Sequence, residues 1–179
     1  MRVAVFGGSF NPPHVGHAMI AGWLRWADRC DEVWLTPAHV HALGKPLAPF
    51  AARVRACERM AELVGGHVRV CPIEATLPSP SFTVVTLDAL SAAHPDHQFR
   101  LIVGADILRQ AHQWREWQRI ERDYAPIVLG RGAEAVAGAP SFPDVSSSEI
   151  RARLQRGEPV DHLVPRSVLA EWLGKAGAA

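Results

Sequence analysis

No run of apolar residues in the chain approaches the roughly 20 that a bilayer-spanning helix requires, which argues against a helical membrane protein. Charge of one sign is not in surplus either. Nineteen Lys+Arg stand against 18 Asp+Glu, a net charge of +1, so neither a nucleic-acid polymer nor an anionic membrane is indicated as the main partner. Cysteine is scarce: Cys30, Cys57 and Cys71 are odd in number and widely spaced, a pattern that fits reduced core thiols rather than a disulfide framework or a zinc site. Two nucleotide-binding fingerprints are missing. The dinucleotide motif wants G-x-G-x-x-G where the chain reads Gly7-Gly-Ser-Phe-Asn-Pro, and no G-K-[ST] marks a P-loop. The N-terminus runs from one basic residue into a strand pattern with no signal-peptide apolar region, so a cytoplasmic protein is expected. With 179 residues, 48% hydrophobic and 21% charged, the composition is that of an ordinary soluble globular protein, read here as one domain over residues 1–179.

What is present starts at once. Arg2-Val-Ala-Val-Phe6 reads as a buried strand stopped by Gly7-Gly8, and Pro12-Pro13 then force an extended turn. His14-Val-Gly-His17 follows at the mouth of an amphipathic helix that continues to Trp26. Gly7 and Gly8 let backbone N–H groups approach a phosphate without a Cβ in the way. Histidines three apart at a helix start share a face over the positive end of the helix dipole. They can donate to phosphate oxygens and, when protonated, offset charge on a leaving pyrophosphate. H-x-x-H alone also fits polar surface or a metal pair, although no further ligand sits at helical spacing.

The rest alternates. Strands are expected at 31–37, 67–73, 98–103 and 124–129, and helices at 50–63, 81–93, 107–120 (broken near Gln113), 147–156 and 165–173. Residues 38–49 read as a long Pro/Gly-containing loop, as do residues 133–143. Strands and helices in alternation predict an α/β, Rossmann-like, doubly wound parallel sheet of five to six strands, with a small C-terminal helical segment over 146–179. Ligands of such sheets lie at the carboxyl ends of the strands. Gly7-Gly8, Thr36-Pro37, Gly104-Ala-Asp106 and Gly130-Arg131-Gly132 all fall there. Near the C-terminus, Val145-Ser-Ser-Ser-Glu-Ile-Arg151 offers Ser146 or Ser147 as a helix N-cap with an arginine one turn on, either an ordinary capped helix or an anion cradle.

Taken together, Gly-Gly-Ser-Phe-Asn-Pro-Pro-His-Val-Gly-His and Ser-Ser-Ser-Glu-Ile-Arg resemble the paired motifs of the nucleotidyltransferase α/β-phosphodiesterase superfamily. Within it the chain is most similar to the bacterial nicotinate-nucleotide adenylyltransferases. Leu101-Ile-Val-Gly-Ala-Asp106 with Trp114-Arg-Glu-Trp117 resembles that family's L-I-x-G-x-D and W-x-x-W. The resemblance covers essentially the whole chain, in order. It implies an enzyme in which the phosphate of a pyridine mononucleotide attacks the α-phosphorus of ATP, giving a dinucleotide and pyrophosphate for NAD synthesis, without a covalent enzyme intermediate. It further implies that Gly7, Gly8, Ser9 and Phe10 lie on the phosphates. His14 and His17 would hold the triphosphate, with His17 the more critical, and Ser146, Ser147 and Arg151 would grip its distal end. Gly104, Asp106 and Arg131 would complete the ATP side. Mg²⁺ is implied on the polyphosphate, carried by substrate oxygens and water rather than a protein metal site.

For the acceptor the resemblance points to Lys45, Thr83, Thr86, Trp114 and Trp117, with Trp117 stacking on the pyridine ring. A tryptophan pair three apart on a helix is also a common core anchor, and the threonines also suit helix caps. The chain departs from the family pattern in having Ser9 and Ser148 where threonine is usual and Val145 where isoleucine is usual. It also has His39-Val-His41-Ala-Leu-Gly-Lys45 in place of P-P-H-K. Alternatives in view are a nicotinamide-mononucleotide or pantetheine-phosphate adenylyltransferase, a catalytically inactive nucleotide-binding regulator, and a zinc hydrolase. Monomer and small homo-oligomer are both open.

Overall fold

The computed structural model describes residues 1–40, 44–80 and 82–174. The elements run β1 (Arg2–Gly8), α1 (Val15–Trp26), β2 (Glu32–Pro37), α2 (Phe50–Val64), β3 (Val68–Val70), α3 (Thr83–Ala93), β4 (Gln98–Gly104), α4 (Ala105–Leu108), α5 (Trp117–Tyr124), β5 (Ile127–Arg131), β6 (Ser141–Phe142), α6 (Ser147–Gln155) and α7 (Arg166–Trp172). Short 3₁₀ turns at Ile73–Thr76 and Ala111–Gln113 join them.

The strands form one six-stranded sheet in the order β3-β2-β1-β4-β5-β6, with every pair parallel. A parallel sheet needs both faces covered, which is why its strands read as continuous apolar runs. β1 shows how the pleat divides them. Ala4 faces one core layer with Leu24, Leu35, Met60, Ile150 and Val168 from α1, β2, α2, α6 and α7. Val3 and Val5 face the other, with Leu87, Leu90, Leu101 and Ile120 from α3, β4 and α5. Because β1 lies between β2 and β4, the chain reverses its winding direction there. The crevice above the carboxyl ends of β1 and β4 is the place such sheets offer a ligand. The free thiols of Cys30 and Cys57 are buried and that of Cys71 half-buried; burial raises the pKa of all three, as inert core cysteines require.

Several boundaries differ from the sequence reading. Residues 133–143 are not wholly loop. Ser141 and Phe142 pair with Gly130 and Arg131, and the strand is held by Phe142, buried against Trp23 at 5.9 Å. The third strand is shorter than 67–73, giving way to the 3₁₀ turn at Ile73. The fifth begins at Ile127 rather than Tyr124, because Tyr124 completes α5, buries its ring and donates its hydroxyl to Asp88 at 2.8 Å. The helix expected over 107–120 is three pieces, interrupted where Glu116 takes a left-handed φ of 56°. Trp114 and Trp117 therefore do not share a helix. α3 starts at Thr83 with Phe82 at the cap position, so Thr83 is not the cap. Ser81, where the helix over 81–93 was expected to begin, and His41 lie outside the described residues.

Candidate active site

β1 delivers its two glycines to the crevice, and the turn beyond them is built around Phe10. This residue has φ 45°, a conformation that costs a non-glycine residue on the order of 1–3 kcal/mol. Packing sustains it. The ring is buried beneath His17 at 4.9 Å and edge-on to Phe6 at 5.8 Å, and a Cβ at Gly8 would touch it at 3.4 Å. Phe10 thus supports the loop from below, so the polar surface offered upward is backbone.

His14 occupies the N-cap of α1 in an extended conformation, and His17 the third helical position. The His14 backbone N–H donates to His17 Nδ1 at 3.1 Å. An Nδ1 that accepts cannot carry the proton, so neutral His17 is the Nε2–H tautomer, a donor on the far side of the ring. The two rings lie 3.8 Å apart. Gly16 explains the middle of the motif: a Cβ there would sit 3.2 Å from both Cε1 and Nδ1 of His14, so glycine lets that ring lie over the first helical turn. Burial, with Arg131 nearby, pushes His14 down to about 4. Burial lowers His17 well below the usual imidazole range, reinforced by His14 and Arg131. Both histidines are neutral at pH 7 in the substrate-free protein, so protonated histidines are not its resting state. Anionic oxygens brought beside them would reverse that shift.

The second motif meets the first directly. Of the two caps the sequence offered, Ser146 caps α6, accepting from the Glu149 N–H at 3.2 Å. Ser147 Oγ donates to the Pro12 carbonyl at 2.8 Å, and Arg151 donates to the Asn11 carbonyl at 2.6 Å and to Ser148 Oγ at 3.3 Å. Ser147 and Arg151 therefore hold the opening loop in shape as well as edging the site. Trp172 Nε1 donates to Asn11 Oδ1 at 2.9 Å and the Val15 N–H to the Leu163 carbonyl at 2.8 Å, so the C-terminal segment buttresses the same loop.

On the β4–β5 side, Asp106 is the second residue of α4, whose N-cap is Gly104, where a Cβ would collide with the Asp106 carboxylate. Arg131 leaves the end of β5 and donates to Asp106 Oδ2 at 2.6 Å. Its charge is the one felt by both histidines. Gly7, Gly8, His14, His17, Gly104, Asp106, Arg131, Ser146, Ser147 and Arg151 thus belong to segments that meet at one edge of the sheet.

The residues assigned to the acceptor are less uniform. Lys45 is exposed on the loop between β2 and α2, and Thr83 is half-buried at the first position of α3. Thr86 is 4% exposed and donates to Glu74 Oε1 at 3.2 Å, so it supports the site from within the core rather than lining it. Trp117 is buried in the core with Ile120, whereas Trp114 packs edge-on against it at 5.8 Å and stays half-buried. Trp114 is thus the more accessible ring of the pair, whereas the ring expected to stack on the pyridine is that of Trp117.

Three organising residues escaped the sequence reading: Asn11, Arg53 and Glu74, all buried. Arg53 carried a readable sign, a charge on the apolar stripe Ala52, Ala56, Cys57, Met60 of α2. Asn11, in the turn after β1, and Glu74, in the 3₁₀ turn at Ile73–Thr76, sit where no periodicity marks a buried side chain. Among the described residues there is no group of three or more His, Cys, Asp or Glu placed to hold a metal ion, and no helix long and apolar enough to cross a membrane.

Comparison with known proteins adds the following. Residues 5–153 match the cytidylyltransferase-like family model. The chain is 50% identical over 172 residues to a protein of Anaeromyxobacter sp. (strain K) named "probable nicotinate-nucleotide adenylyltransferase", an alignment covering 94% of this chain and 91% of that one. A protein of the same name from Myxococcus xanthus is 40% identical over 95% of this chain and 90% of its own. Among solved structures, nicotinic acid mononucleotide adenylyltransferase of Plasmodium falciparum, complexed with NaAD, superposes with a TM-score of 0.77 at 18% identity, covering 97% of this chain and 95% of that one. At that identity the match speaks for the fold.

Proposed function

The chain belongs to the cytidylyltransferase-like family and, within it, to the nicotinate-nucleotide adenylyltransferases; from that membership we propose that it transfers the adenylyl group of ATP to nicotinate mononucleotide, giving nicotinate adenine dinucleotide and pyrophosphate. The observation that carries the reading is the junction of its two motifs. Arg151 and Ser147 bond the carbonyls of Asn11 and Pro12, 140 and 135 residues away in sequence, at the point where the sheet reverses.

A phosphate oxygen of the mononucleotide attacks the α-phosphorus of ATP, the bond to the β-phosphate oxygen breaks, and pyrophosphate leaves. The enzyme has charge to offset and groups to align. Gly7, Gly8, Ser9 and the backbone of Phe10 face the phosphates in this reading. His17 Nε2–H donates to the triphosphate, and His14 beside it does the same as its burial is offset by the bound anion. Ser146, Ser147 and Arg151 take the departing pyrophosphate end, while Gly104, Asp106 and Arg131 close the nucleotide side. Asp106 is already held by Arg131, and the donor set suits a Mg²⁺ ion arriving on the ATP phosphates with water as its remaining ligands. On the acceptor side, Lys45 and Thr83 supply polar contacts and Trp114 the ring face, with Trp117 and Thr86 behind them.

The test is an acceptor panel. The protein with Mg²⁺ and ATP should release pyrophosphate fastest with nicotinate mononucleotide, more slowly with nicotinamide mononucleotide, and not with pantetheine phosphate. Absence of release with every pyridine mononucleotide would refute the reading.

A further inference from the structure

Arg53 heads the fully buried side chains by volume, with 1% of its surface exposed. A guanidinium taken so far out of water must be compensated by geometry, and here the compensation comes from three backbone carbonyls. Nη1 donates to Ser9 at 2.9 Å, Nε to Ala48 at 3.0 Å and Nη2 to His39 at 3.4 Å. Ser9 lies on the loop that faces the ATP phosphates. His39 and Ala48 lie at the two ends of the β2–α2 loop that carries Lys45. The planar fork suits such a three-way grip, which an ammonium group does not reproduce.

Other contacts bind the same two loops. The Ala48 N–H donates to Asn11 Oδ1 at 3.2 Å, and Glu74 accepts from the His39 N–H at 3.1 Å. The Phe50 ring lies 5.4 Å below the guanidinium and edge-on to His39 at 4.9 Å. The two loops thus share one buried support, and removing it would strip three carbonyls of a charged donor.

We propose that Arg53 is a positioning residue that couples the two substrate subsites: fixing Ser9 on ATP fixes His39 and Ala48, on either side of Lys45, for the mononucleotide, and the reverse. This rests on the reading above that the 38–49 loop serves the acceptor. Coupling of this kind is reciprocal and has a measurable size, with allosteric pairs spanning about 5- to 150-fold in affinity.

Calorimetric titration of nicotinate mononucleotide, with and without saturating α,β-methylene ATP so that no transfer occurs, reads the coupling directly. In the wild type the analogue should tighten mononucleotide binding by about 5-fold or more. In Arg53→Met the ratio should fall to about 1 while the analogue alone still binds, and Arg53→Lys should restore part of it. A ratio near 1 in the wild type, or an undiminished ratio in folded Arg53→Met, overturns the coupling. Should the methionine variant not fold, amide exchange in the wild type decides: the ATP analogue alone must slow exchange at residues 38–40 and 44–49, and unchanged exchange refutes the proposal. A wild type that binds neither ligand defeats the functional reading itself, whereas binding without coupling defeats only the role of Arg53.

Discussion

Protonation of His14 should destabilise the substrate-free enzyme well above the pH at which carboxylates usually fail. The folded protein holds this imidazole at about 4, because its ring is buried and Arg131 is near, while the unfolded chain titrates it at the ordinary 6.5. Between those values the unfolded state binds the extra proton, so the stabilisation is complete above pH 6.5 and drains away as pH falls toward 4. For one group with those two values, the loss between pH 7.5 and 5.0 is about 2 kcal/mol. His17, also lowered by burial and by His14, adds in the same direction. Carboxylates held low by arginines, such as Asp31 at about 2 and Asp88, lose their contribution only at lower pH and leave this window clear. The assay is urea denaturation of the wild type and His14→Gln at a series of pH values from 7.5 to 5.0, with stability extrapolated to water. The variant's profile should be flatter by about 2 kcal/mol over that range. Parallel profiles would show that His14 titrates normally in the folded protein, and the account of a neutral, buried imidazole beside Arg131 would fail. The same shift predicts that ATP binding at pH 5.5 takes up protons, visible as a buffer-dependent heat of binding.

His17→Ala should lower kcat by about 10² or more, the scale of removing one transition-state donor; steady-state kinetics that leave kcat unchanged would remove His17 from the reaction. Gly16→Ala places a Cβ 3.2 Å from the His14 ring, so kcat should fall by about tenfold, the cost of displacing a positioned group by a few tenths of an ångström, with the thermal midpoint little changed. Trp117→Ala, which empties a buried core position, should cost about 3–5 kcal/mol in denaturant unfolding. Trp114→Ala should keep its stability and raise KM for the pyridine mononucleotide more than KM for ATP; the opposite pattern would return the ring-facing role to Trp117.

What could be read in advance follows from which interactions are local. The sheet was legible because buried parallel strands are short, largely apolar runs ended by glycine or proline, and Gly7-Gly8, Thr36-Pro37, Gly104 and Gly130 all fell at the carboxyl edge. The meeting of the two motifs at the candidate phosphate side was legible for a related reason. Binding an anion by backbone N–H groups and a helix start demands glycine, prolines and a cap in fixed order, and Gly7 to His17 and Ser146 to Arg151 carry that order in plain view. β6 was hidden because two residues have no periodicity, and the Trp114–Trp117 geometry because nothing marks Glu116 as left-handed.

Asn11 and Arg53 were hidden for a further reason: the bonds of their side chains run to the protein's own loops and to the end of α7 rather than outward. Asn11 joins the opening loop to Ala48 and Trp172, and Arg53 joins it to His39 and Ala48. Residues of this kind leave only an indirect trace, a polar group in a place that packing reserves for apolar ones. Arg53 in the stripe Ala52, Ala56, Cys57, Met60 is that trace, since a buried guanidinium is too costly to keep there without three carbonyls to receive it. The chain departs from the usual family pattern at His39 to Lys45, yet His39 at the start of that stretch and Ala48 beyond it share with Ser9 one guanidinium.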